Sequence, residues 1–128
     1  MVHPRTSARG GGAALKDDKL YLIHIRECIE RIERYTADGR EAFFTDGKTQ
    51  DAVLRNLQTL AESARRLGDA IKATRPEIAW KSITGFRNVA VHDYLGIDLQ
   101  RVWDIIERDS PPLQRAVESI LAALEAKS

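Results

Sequence analysis

Apolar residues recur at steps of three and four along most of this chain, and no alternating strand pattern competes with them. From Asp17 onward, Leu22, Ile25, Ile29 and Ile32 form one stripe, edged by Tyr21, Cys28 and Tyr35. Val53, Leu57, Leu60, Ala64 and Leu67 form a second, with Leu54 and Ala61 beside it and Arg55, Glu62, Arg65 and Arg66 on the opposite face. Leu99, Val102, Trp103 and Ile106 share a third face; Leu113, Val117, Ile120, Leu121 and Leu124 share a fourth. Such spacing places one apolar face per helix against a common core. Short connections between four or five such helices favour an antiparallel all-α bundle.

The punctuation between stripes sets the expected boundaries. Asp17 or Asp18 can cap the first helix, and Asp38-Gly39 supplies a left-handed exit. A loop through Phe43 and Phe44 is expected before Asp46-Gly47, then a helix over about 48–67 stopped by Gly68. Pro76 interrupts residues 68–82, where Ile78, Ala79 and Trp80 suggest a short helical turn or an ordered loop. Residues 83–95 also suit a strand through Val89 and Val91, but nothing elsewhere could pair with it, so helix is expected, ended by Gly96. Asp98 and Ser110 are placed as caps, the latter followed by Pro111 in the first helical turn.

With 128 residues the chain is one domain's worth, and 43% hydrophobic against 30% charged residues is a globular balance rather than a disordered one. Residues 1–15 hold three consecutive glycines, one proline and no apolar period, so a tail is expected there and a helical domain over 16–128. That tail lacks the apolar segment of a secretory signal, and no apolar run reaches the roughly 18 residues of a membrane span. Cytoplasmic residence without membrane contact is the expectation. Cys28 is the single cysteine, which rules out an intrachain disulfide or a cysteine-based zinc cluster; a small buried thiol is its expected role.

Charge narrows the function. The whole chain is +1, but Arg5 and Arg9 in the tail leave 18 basic against 19 acidic residues in 16–128. Broad phosphate neutralisation is therefore not available, and any nucleic-acid chemistry must come from a local site. Gly47-Lys48-Thr49 resembles the end of a phosphate-binding loop, but Ala42 stands where that motif needs glycine. His3, His24 and His92 lack ligand spacing, so no metal or other cofactor is expected.

Chemistry of catalytic type concentrates in Arg87-Asn88-Val89-Ala90-Val91-His92-Asp93-Tyr94. On an ideal helix Tyr94 lies about 20° from Arg87, and His92 about 140° from it. One continuous helix would not bring Arg87 and His92 onto one small substrate. A helix ending near His92 would, as would two copies facing each other across a two-fold axis. Such a cleft suits metal-free RNA cleavage. Histidine can exchange a proton with a 2′-hydroxyl or a leaving oxygen, and arginine can clasp phosphate oxygens as charge builds. Asn88 can donate to the phosphate or hold the histidine. A structural salt-bridge and cap network is the plainer alternative for Arg87 and His92.

Arg-x4-His-x-Tyr with a polar residue after the arginine resembles the signature of HEPN-domain proteins, specifically the HepT-like family. The stretches 17–25 (DDKLYLIHI), 30–36 (ERIERYT), 54–57 (LRNL) and 83–94 (ITGFRNVAVHDY) are similar to that family, and the likeness covers roughly 17–126. The resemblance implies an all-α homodimer with Arg87 and His92 catalytic at the dimer cleft, Asn88 supporting, and metal-independent ribonuclease toxin activity. It also implies a nucleotidyltransferase antitoxin of the MNT type that silences the toxin by moving AMP from ATP to Tyr94. The glycine-rich tail departs from the family pattern. A competing expectation is a non-catalytic subunit that binds nucleotide or substrate for a nucleotidyltransferase; another is a purely structural helical dimer.

Overall fold

A computed structural model of the protein describes residues 12–91 and 98–127, and every regular element among them is helical. The elements are α1 (Gly12–Tyr35), α2 (Arg40–Thr45), α3 (Gly47–Arg66), α4 (Asp69–Ala73), α5 (Trp80–Thr84), α6 (Phe86–Val91), α7 (Leu99–Asp104), a π-helical turn (Ile105–Asp109) and α8 (Ser110–Lys127). The expected all-α architecture is thus present. No helix among the described residues is long and apolar enough to cross a membrane.

The long helices α1, α3 and α8 carry the bundle. Leu22, Ile25, Cys28 and Ile29 are completely buried, as are Val53 and Ala64 of α3 and Leu113 and Val117 of α8. Each fully buried Leu, Ile or Val contributes about 1.5–3 kcal/mol relative to exposure, before chain entropy is subtracted. Cross-links show that neighbours run antiparallel. Asp18, early in α1, accepts from the Gly68 N–H just past the end of α3 at 2.9 Å, and Lys19 reaches Glu125 near the end of α8 at 3.8 Å. Between α1 and α3, Arg31 Nε donates to Asn56 Oδ1 at 2.9 Å.

Several boundaries differ from the sequence expectation. α1 begins at Gly12, upstream of the two aspartates expected to cap it. Asp18 is buried and holds the α3–α4 corner instead. The expected loop at Phe43 and Phe44 is the short helix α2. Gly39, whose φ of +97° needs the freedom of glycine, stands just before its first residue, and the helix inserts Phe43 into the core against Trp103 at 5.5 Å between ring centroids. α3 starts as expected, with Asp46 accepting from the Lys48 N–H and the Thr49 hydroxyl.

The expected ordered segment after Gly68 resolves into α4 and α5, with Trp80 Nε1 donating to the carbonyls of Lys72 and Arg75. The helix expected over 83–95 is broken at Gly85, where α5 ends and α6 begins. A Cβ there would stand 3.3 Å from the Ser82 carbonyl oxygen, closer than a side chain comfortably sits. Asp98 caps α7 as expected, accepting from the Arg101 N–H. Ser110 does not cap by accepting. Its backbone N–H reaches back five residues to Ile105, and its hydroxyl donates to the carbonyls of Ile105 and Ile106. Pro111 and Pro112 have no N–H to continue the ladder, so the turn before them widens. Residues 1–11, which hold most of the expected tail, and Gly96, the expected helix stop, lie outside the described residues.

Candidate functional site

The site is built around α6. Phe86 is buried to 1% exposure and pins this short helix against the bundle, with Val89 packed partly against the same core. The next residues round the helix, Arg87 and Asn88, are therefore exposed. The break at Gly85 sets this orientation independently of α5, and the Asn88 N–H closes the first turn on the Gly85 carbonyl at 3.0 Å. Of the sequence-predicted site residues, Arg87 and Asn88 are thus both placed on one short helix, turned to solvent. His92 and Tyr94 lie outside the described residues.

Arg87 lines a groove of about 460 Å³ whose other walls come from α1 and α3. Tyr21 and His24 face it from α1; Gln58, Glu62 and Arg66 face it from α3. Tyr21 and His24 are half-buried and sit three residues apart, hence on one helix face. His24 was legible in the sequence only as a histidine without ligand spacing. Its signal was its place on the flank of the first apolar stripe, which becomes informative only once α3 and α6 are docked against that flank.

Electrostatics in the groove centre on Glu62. Its carboxylate accepts from Arg65 Nη2 at 2.6 Å and from Arg66 Nε at 3.0 Å. The hydrogen bond from Arg65, then that from Arg66, hold the Glu62 carboxyl down at about 2. Reciprocally, Glu62 first and the Tyr21 hydroxyl second push the Arg66 guanidinium above its ordinary value. Arg66 therefore stays cationic at any pH at which the fold exists. Among the groove-lining residues, Arg66 and Arg87 stand against Glu62, a net of +1, and Arg65 pairs with the same glutamate from beside the groove, in a domain whose residues 16–128 sum to −1.

Cys28 takes no part in the groove. It is fully buried, and burial pushes its thiol up, opposed by Arg31, whose Nη2 lies 3.9 Å from Sγ. The expected buried thiol is what the fold contains. Among the described residues no group of three or more His, Cys, Asp or Glu side chains is placed to hold a metal ion.

Comparison with known proteins points one way. The family model described as ribonuclease HepT-like matches residues 25–120. A protein of Methanocaldococcus jannaschii named "Gamma-glutamylcyclotransferase and putative RNase" is 36% identical over 111 residues, covering 86% of this chain but 50% of its own length. This chain thus spans half of that relative. "Probable ribonuclease HepT" of Thermococcus cleftensis is 34% identical over 106 residues, covering 82% of this chain and 96% of the relative. "mRNA nuclease HepT" of Shewanella oneidensis is 26% identical over 125 residues, covering 79% and 93% of the two chains. No solved structure matches. With three-quarters of its length inside the family model and a relative above 30% identity matched almost end to end, the chain belongs to the ribonuclease HepT-like family.

Proposed function

We propose that this chain is a metal-independent endoribonuclease, the toxin of a two-component toxin–antitoxin system. The observation that carries the reading is the exposure of Arg87 on a helix pinned by buried Phe86, at the wall of a positively charged groove, in a chain of this family. The RNA 2′-hydroxyl attacks the adjacent phosphorus, and the bond to the 5′-oxygen breaks. The products are a 2′,3′-cyclic phosphate and a 5′-hydroxyl. His92 takes the 2′-hydroxyl proton or returns one to the leaving oxygen. Arg87 stabilises the charge that builds on the non-bridging oxygens through two N–H donors, which a planar guanidinium presents together. Asn88 supports the phosphate or the histidine.

The working unit in this reading is a homodimer, because a two-fold axis brings the Arg87 and His92 of two copies to one cleft. A nucleotidyltransferase antitoxin silences it by transferring AMP from ATP to the Tyr94 hydroxyl with release of pyrophosphate. Each AMP adds bulk and a negative phosphodiester beside the cationic site, which repels RNA.

The test is cleavage of RNA by the purified chain in EDTA, together with growth arrest on expression alone. Both are expected for wild type and lost in His92→Ala; equal behaviour of the two overturns the reading. After co-expression with the antitoxin, intact mass should rise by about 329 Da per adenylyl group, and Tyr94→Phe should abolish the gain. The near-neutral charge of residues 16–128 favours one second reading, a non-catalytic subunit that binds nucleotide phosphates through Arg87. It requires nucleotide binding with no hydrolysis of RNA.

A further inference from the structure

The motif accounts for only one of the groove's walls. Tyr21 and His24 on α1, and Gln58 and Arg66 on α3, lie far from it in sequence yet line the same space as Arg87. The volume of about 460 Å³ is in the range of pockets that take a small molecule or a single nucleotide. Its walls are chemically mixed in the way single-stranded RNA is recognised. Two half-buried rings, Tyr21 and His24, border it, and such rings are what an unstacked base stacks on. Gln58 carries an acceptor and two donors that match a base edge. Arg66 gives Glu62 its Nε donor, and a guanidinium has four N–H donors besides that one.

Glu62 does not make the groove repellent to phosphate, because Arg65 and Arg66 both hold it and their pairing leaves net positive charge. It orients Arg66 toward the groove instead. We propose that this groove is a nucleotide subsite for single-stranded RNA beside the cleavage point, in which Tyr21 and His24 receive a base, Gln58 reads its edge and Arg66 meets a backbone phosphate. The proposal rests on the ribonuclease reading and adds a specificity-determining surface to it. His24 acts here through contact with the base, as a binding residue and not as a proton carrier.

The experiment measures binding of a fluorescein-labelled, mixed-sequence single-stranded oligoribonucleotide to the full chain in a His92→Ala background, so that turnover does not intervene. Adding His24→Ala should raise Kd roughly tenfold, the loss of about one stacked base. Adding Arg66→Gln should raise Kd and reduce the slope of log Kobs against log salt by about 0.7, one phosphate contact on a single strand. Arg108→Gln, an exposed arginine elsewhere on the surface, should change neither. Circular-dichroism melts confirm that each variant is folded, and Arg66→Gln, at an exposed position, keeps the test independent of any core effect of His24→Ala.

RNA cleavage by the chain with His92 intact is followed in parallel, where Gln58→Ala should flatten the base preference at the cut site. Cleavage with Kd and KM unmoved by both His24→Ala and Arg66→Gln overturns the subsite and leaves the ribonuclease reading standing. Binding that depends on His24 and Arg66 without any cleavage overturns the ribonuclease reading, and with it the subsite's place beside a cleavage point. Absence of RNA binding by the His92→Ala chain overturns the subsite outright.

Discussion

Asp18 Oδ1 accepts a 2.9 Å hydrogen bond from the backbone N–H of Gly68, fifty residues away, and so ties the start of α1 to the corner where α3 turns into α4. The carboxylate is buried, and a Cβ on Gly68 would stand 3.3 Å from its second oxygen. Removing the acceptor leaves an N–H without its partner in a partly buried corner. Asp18→Ala should therefore cost about 1–3 kcal/mol in a urea melt, and Gly68→Ala should also destabilise by pressing on the carboxylate. Asp18→Asn keeps an acceptor oxygen and should lose less than Asp18→Ala.

Cys28 is sealed between α1 and its neighbours, with its thiol pushed up chiefly by burial. A thiolate is the reactive species, so Ellman's reagent should be silent on the native chain at pH 8 and should titrate one thiol after denaturation. Rapid native labelling would show that α1 opens locally.

Glu62 gives a pH signature. Its carboxyl is held at about 2, below its ordinary 4.5, by Arg65 and then Arg66. A depressed folded-state pKa contributes stability that is present above the unfolded value and is lost as pH falls toward 2. Carboxyl NMR should place the Glu62 midpoint near 2 in wild type. Arg65→Ala should move it upward most, and Arg66→Ala less. The stability change is expected to be small, because the pair is solvent-screened.

Arg87 should be intolerant even of a conservative change. Arg87→Ala is expected to lower the rate of RNA cleavage by about 10²–10³, the usual loss for one donor to a developing oxyanion. Arg87→Lys should recover little of it, since an ammonium cannot present two parallel donors. Because Arg87 is exposed, the melting temperature of both variants should match wild type.

Phe43 tests the element that periodicity could not show. It is buried to 1% exposure and packs against Trp103 and Phe44. Phe43→Ala should cost about 3–5 kcal/mol in a thermal or urea melt, whereas a true surface loop would lose almost nothing.

The stripes of α1, α3 and α8 could be read from sequence because the helical period repeats several times within each, and every repeat lies inside one local segment. The same holds for Asp46 and Asp98 as caps, whose hydrogen bonds reach only two or three residues along the chain. The short helix of Arg40–Thr45 and the break at Gly85 could not be read this way. Six residues hold less than two turns of period, and both features depend on packing from elsewhere in the chain. The groove is the extreme case. Arg87 stands out locally, as a cation in a motif. That His24 of α1 and Arg66 of α3 share a space with it follows only from which faces of α1, α3 and α6 dock together. Local sequence determines which face of a helix is apolar; the partners of its flanks are set by the packing of the whole bundle.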